Sequence, residues 1–196
     1  MNSYPGKRVL DILVGGTACA AFVSLAAGIS AISWMEDRGS PLFRQTRLGK
    51  QRRPFTIFKF RTMRAAQVTR IGRWLRETGV DELPQFINVL RGEMSIVGPR
   101  PLTEHDINRL GWAAPSHEWR FSVKPGITGL SQLLAGRGAR ASERFDKLYL
   151  QRQSLSLDLR LIALSFAINV AGKKQVRHWI RASLCAAPGG GSRRSA

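Results

Sequence analysis

Asp81 and Glu82 stand side by side in Asp81-Glu82-Leu83-Pro84, with arginines at 70, 73, 76, 91 and 100 on either side. Adjacent carboxylates repel each other, and a metal ion or nearby cations relieve that repulsion. Pro84 is tolerated in the opening turn of a helix. Asp81 is therefore expected to cap a helix running to Leu90, its carboxylate kept ionised by free amides and the helix dipole. A capping aspartate with no chemistry would read the same way. Gly98-Pro99-Arg100-Pro101 is the second group of interest. Its prolines stiffen the backbone and hold out a guanidinium suited to bidentate contact with phosphate, although a structural staple would need the same stiffness. In Lys59-Phe60-Arg61, residues two apart place two cations on one face of a strand, as a solvated sheet face also would.

Several elements must position these residues. Ile12 to Met35 carries no charge; as a straight helix it measures about 36 Å, against about 30 Å for a hydrocarbon layer. It is too long for an ordinary signal-peptide core. Lys7 and Arg8 precede it, and Arg38, Arg44, Arg47, Lys50, Arg52 and Arg53 follow. With cations on both flanks, a re-entrant helix satisfies the positive-inside rule at both ends and a simple span at only one. Gly15, Gly16, Ser24 and Gly28 offer places to bend. Phe55 to Phe60 alternates as a half-buried strand, preceded by a turn near Leu48-Gly49-Lys50. Thr69 to Leu75, Asp81 to Leu90 and Leu102 to Leu110 read as helices, the last inside a loop-rich stretch from Gly92 to Gly138. Leu155 to Ala171 is apolar, and Lys173 to Arg181 mixes cations with Trp179, as in a helix lying among lipid headgroups; a core helix followed by a solvated basic face is the alternative. Pro188 to Ala196 has the composition of a disordered tail.

Lysine and arginine number 31 against 13 acidic residues, a net charge of +18. That excess calls for a polyanionic partner, whether nucleic acid, anionic membrane lipids or a phosphorylated substrate. Cys19 and Cys185 form no disulfide framework or zinc pattern, and His105, His117 and His178 lack ligand spacing. P-loop, GxSxG, HExxH and dinucleotide signatures are all missing.

Four segments, in order, resemble the bacterial sugar transferases, the monotopic polyprenyl-phosphate phosphoglycosyl transferases of the small single-domain type. They are Lys59-Phe60-Arg61-Thr62-Met63, Asp81 to Gln85, Asn88 to Pro101 and Lys124 to Gly129. Arg8, Asp11, Phe43-Arg44-Gln45, Gly49 and Leu157-Asp158-Leu159 also match, so the resemblance runs from about Lys7 to Val170. It implies that Asp81 attacks the β-phosphorus of a UDP-sugar, forming a covalent aspartyl-phosphosugar and releasing UMP. Undecaprenyl phosphate then takes the sugar-phosphate, which begins glycan assembly. Glu82 would be the partner carboxylate, Asp81 would hold Mg2+, and Arg76 and Arg100 would hold phosphates, with Lys59 and Arg61 as further contacts. The implied location is the cytoplasmic face of the bacterial inner membrane; a homo-oligomer is left open. Three places depart from the family pattern. Ser24-Leu25 stands where Ser-Pro is frequent, the linker from Met63 to Thr69 is short, and Leu130-Ser131-Gln132 replaces Trp-Ala-Gln.

The expected fold is α+β and mainly helical. It comprises a membrane-embedded, re-entrant helix over 1–37, a catalytic domain over 38–182 with a small β-hairpin and interfacial amphipathic helices, and a disordered tail over 183–196. Two rivals compete with the enzyme: a membrane-tethered nucleic-acid binder reading Arg70 to Leu90 as a helix-turn-helix, and an inactive scaffold for glycan assembly.

Overall fold

The computed structural model describes residues 3–134 and 138–171. The expected interfacial segment from Lys173 to Arg181 and the tail lie outside the described residues. Helix α1 (Lys7–Asp37) is helical throughout, including Gly15, Gly16, Ser24 and Gly28. It is long and apolar enough to cross a membrane, and only 11% of its most apolar window is buried. A core helix of a soluble protein would be mostly buried; here Val9, Leu13, Val23 and Met35 are all at least 60% exposed.

The buried residues of α1, Lys7, Asp11, Gly15, Ile29 and Ser33, recur at helical spacing and define one face along its length. That face is docked at both ends on the rest of the chain. At the start, Arg8 donates to the Val89 and Leu90 carbonyls at 2.5 and 2.7 Å. Asp11 accepts from Ser95 Oγ and the Ile96 amide, each at 2.9 Å. At the end, Glu36 accepts from the Arg70 and Ile71 amides at 2.8 and 3.3 Å. These are free amides in the first turn of α2 (Arg70–Thr78), where the Thr69 side chain also accepts from Gly72.

Strands β1 (Leu42–Leu48) and β2 (Pro54–Phe60) form the expected hairpin, with Leu42 opposite Phe60 and Leu48 opposite Pro54. Phe55 and Ile57 point into the main core, while Phe60 joins Ile29 and Leu75 in a smaller cluster beneath α1. A two-residue pair, β3 (Met63–Arg64) and β4 (Gln67–Val68), closes the short linker before α2. Gly72 is required there, because a Cβ would overlap the Thr62 carbonyl. Gly72→Ala is expected to destabilise the protein by about 1–3 kcal/mol. Gly16→Ala, which meets nothing within 4 Å, should leave the thermal unfolding midpoint unchanged or raise it.

Helix α3 (Gln85–Leu90) follows, and the loop-rich stretch then contains β5 (Ser95–Val97), α4 (Glu104–Arg109) and β6 (Gly126–Thr128). β5 and β6 pair in parallel, Ser95 opposite Gly126 and Val97 opposite Thr128. Helices α5 (Leu130–Leu134), α6 (Ala139–Arg152) and α7 (Leu155–Ala171) complete the domain. The main core gathers Ile57, Val89, Val97, Tyr149 and Leu161 from five of these elements, with Met94 from the loop before β5.

The helix-turn-helix reading fails on this architecture. α3 is only six residues long, with Gln85, Asn88 and Val89 buried, and its exposed face carries Ile87 and Leu90, which offer no hydrogen-bonding group or charge to a base edge or a phosphate.

Candidate active site

α2 ends at Gly79, whose φ of 74° suits a residue without a Cβ. The chain turns there into a 3-10 segment, Val80–Glu82, closed by bonds from the Glu82 amide to Gly79 and from the Leu83 amide to Val80. Asp81 and Glu82 thus lie on a tight turn between two helices. The expectation that Asp81 caps a helix is incorrect: α3 starts after Pro84, without any side-chain cap. The cap amides expected to favour the charged form of Asp81 are therefore not what surrounds it. Burial raises the Asp81 carboxyl above the usual aspartate range, and the charge of Glu82 adds to this, while Lys59 and Arg76 pull the other way.

The surrounding cations come from separate elements. Lys59, next to last in strand β2, donates to Glu82 Oε1 at 2.5 Å. Arg76 of α2 donates from Nε to Thr62 Oγ1 at 2.8 Å, and its charge acts on Asp81 in favour of the carboxylate. Asp81 forms no ion pair within 4 Å among the described residues. A cleft beside this turn is lined by Arg47, Lys59, Glu82, Gln85, Arg100 and Gln132. Lys59, Arg76, Arg100, Asp81 and Glu82 are therefore neighbours in one region. Arg61 is not part of that lining; its guanidinium packs on Gly39, where a Cβ would overlap it.

Arg100 is exposed at the cleft rim on a backbone held from two sides. The Gly98 amide donates to Thr128 O and the Gly126 amide to Pro99 O, both at 2.9 Å. A Cβ at Gly98, Gly126 or Gly129 would strike the opposing backbone, so the glycines of both matching segments serve one close approach. Buried Arg120 donates to Arg100 O at 2.7 Å and pairs with Asp146 at 3.1 Å.

Sequence reasoning missed Arg47, Gln85, Arg120 and Asp146. Arg47 bonds Asp106 and the Pro101 carbonyl at 3.2 and 3.3 Å. Gln85 is 2% exposed and its Nε2 lacks a partner among the described residues, which leaves a donor available to whatever fills the cleft. A polar residue at a core position of α3 was the available signal. Asn88, wholly buried on the same helix, substitutes for a neighbouring strand: it accepts from the Phe58 amide and donates to Thr56 O at 3.2 and 2.7 Å. This holds β2, and with it Lys59, in register.

Among the described residues no group of three or more acidic, histidine or cysteine side chains could cage a metal. The Asp81–Glu82 pair does fit a hard cation that uses one or two carboxylates and completes its shell with water and phosphate oxygens.

Residues 2–172 match the family model described as bacterial sugar transferase. The chain is 38% identical over 178 residues to a UDP-glucose:undecaprenyl-phosphate glucose-1-phosphate transferase of Caulobacter vibrioides, covering 80% of this chain and 66% of that one. It is 35% identical over 175 residues to a UDP-N-acetylgalactosamine-undecaprenyl-phosphate N-acetylgalactosaminephosphotransferase of Aeromonas hydrophila, with 80% and 41% covered. The exopolysaccharide production protein PSS of Rhizobium leguminosarum bv. phaseoli is 33% identical over 187 residues, with 80% and 90% covered. The chain spans less than two thirds of the length of the first two relatives. Matched over most of its length and carrying the family's segments around a single cleft, the chain belongs to the bacterial sugar transferases.

Proposed function

We propose that the protein transfers a sugar-1-phosphate from a UDP-sugar to undecaprenyl phosphate through a covalent intermediate on Asp81. The observation that carries this reading is a partly buried carboxylate with no ion-pair partner among the described residues, next to Glu82 and under the opposing charges of Lys59 and Arg76. An Asp81 oxygen attacks the β-phosphorus of the donor. The bond from that phosphorus to the bridging oxygen breaks, and UMP leaves with the electron pair. An oxygen of the acceptor phosphate then attacks the aspartyl phosphorus, and the acyl-phosphate bond breaks to return the carboxylate. Splitting the exchange lets two bulky substrates use one site in turn. Arg76, Arg100 and Lys59 stabilise charge on the phosphate oxygens, and Arg61 is kept as an outlying contact. Asp81, with Glu82 beside it, would hold Mg2+, which would supply further neutralisation of that charge.

Only ionised Asp81 is a nucleophile, so activity falls as pH drops through its raised pKa. Arg76→Gln removes an opposing cation. It is expected to move the acid limb of the pH–rate profile to higher pH, besides weakening donor binding. A limb that stays in place while the maximal rate drops would separate Arg76 from the Asp81 carboxyl.

For the membrane, the reading is that α1 enters from the cytoplasmic face and stays associated with it. Its support is the docking of both ends of α1 on one domain, which a simple span would separate. Cysteines introduced at Ser3 and Gln51 should react with an impermeant reagent from the same side; labelling from opposite sides refutes this orientation.

The central test offers detergent-solubilised protein a panel of UDP-sugars with Mg2+ and polyprenyl phosphate, scoring UMP. Release with at least one donor, suppressed by EDTA, is expected. Silence across a full panel would leave the inactive scaffold as the better account.

A further inference from the structure

A second concavity, with about 660 Å³ of open space, shares no lining residue with the cleft beside Asp81. It lies where α1 begins, and Arg8, Lys50 and Lys124 line it together with Lys7 and Asp11. Lys7 is already committed, in an ion pair with Asp158. The other three cations are not balanced in this way. Among the described residues Arg8 is bonded only to backbone carbonyls, and neither Lys50 nor Lys124 has an acidic partner within 4 Å. Arg8 and Lys124 converge on Gly92: a Cβ there would meet Lys124 Nζ at 3.4 Å and Arg8 Nη2 at 3.6 Å. Burial depresses the Lys124 ammonium, and the charges of Arg8 and Lys50 add to this, with Asp11 opposing. Counting Asp11 against these three cations leaves an excess of two positive charges around one cavity.

An uncompensated cluster of this kind is a site for a dianion. Its surroundings say which sort. Val9, Ile12 and Leu13, 46–63% exposed, continue along α1 from the pocket, and Leu155 and Leu159 are about half exposed on the first turns of α7. α7 adjoins the pocket through Asp158, which bonds both Tyr4 and Lys7. A ligand with its phosphate among the cations therefore has apolar surface beside it for a hydrocarbon chain.

We propose that this pocket binds the phosphate of a lipid phosphomonoester, outside the catalytic cleft. The inference rests on the membrane placement of α1 proposed above, and its ligand is of the same chemical class as the proposed acceptor. It does not depend on the covalent step.

The test titrates the full chain in nonionic detergent with dodecyl phosphate, followed by 31P NMR and by native mass spectrometry for stoichiometry. Inorganic phosphate and dodecylphosphocholine serve as comparisons. Beside any occupancy of the acceptor position in the catalytic cleft, one saturable site that responds to Lys50 and Lys124 is expected, at least about tenfold tighter for dodecyl phosphate than for either comparison. Lys50→Gln combined with Lys124→Gln should weaken it by about tenfold or more, and Arg64→Gln with Arg144→Gln, an equal loss of charge at exposed positions elsewhere, by less than about twofold. Equal weakening by both pairs would mean diffuse surface charge and overturn the site. Equal affinity for inorganic phosphate would overturn the lipid assignment. Asp81→Asn should bind as tightly as the parent, so failure of transfer chemistry and failure of this site give different results.

Discussion

Asp81→Asn is expected to lower sugar-phosphate transfer by at least about a thousandfold, because the replacement amide cannot form the bond to phosphorus. Incubation with donor alone should add one sugar-phosphate to the mass of the parent protein and nothing to the variant. The variant should nevertheless fold as well as the parent, or better. Burial raises the pKa of Asp81 in the folded state. Between the unfolded and folded values the native state therefore binds more protons than the unfolded one, and stability declines as pH rises through that window. Asparagine removes this penalty at neutral pH. A dead variant with an unchanged or higher melting point fits a carboxylate retained for chemistry; a dead variant that is also unfolded would make Asp81 a structural residue.

The second large effect concerns stability. Asp158 is fully buried on α7 and accepts from Tyr4 and Tyr149 at 2.8 and 2.9 Å while pairing with Lys7. Lys7 also donates to the Val97 carbonyl at 2.8 Å, so one cluster ties α1, β5, α6 and α7 together. Removing one member of a buried pair leaves an uncompensated charge, and Asp158→Ala is expected to cost about 3–5 kcal/mol in denaturant unfolding. Replacing both partners, as Lys7→Met with Asp158→Leu, should recover most of that loss. If the double variant is no better than the single one, the tyrosine hydroxyls and not the lysine are what the carboxylate serves.

Much of the site was legible because its chemistry demands particular residue types in short segments. Adjacent carboxylates, an arginine between prolines and a cation at a strand end can all be read locally, and the hairpin followed from alternation at Phe55 to Phe60. What escaped was non-local. β5 and β6 are three residues each and rich in glycine at their borders, so they read as loop until Ser95 meets Gly126 from 31 positions away. The turn at Asp81 was misread because the rules for a 3-10 segment and for a first helical turn admit the same residues. The missing amide of Pro84 and the left-handed Gly79 favoured the tighter form. Arg61 shares strand spacing with Lys59, but β2 ends at Phe60, and alternation does not carry past a strand's end.

Glu36 closes the last turn of α1 by receiving the amides that open α2, the helix that carries Arg76. Arg8 and Asp11 fasten the other end to the chain that leads into Arg100. With no hinge between anchor and reaction centre, the protein is a gauge of fixed height. Under the proposed membrane placement, a thicker or thinner bilayer would tilt it as a whole, and the acceptor phosphates within its reach would be those presented at one depth.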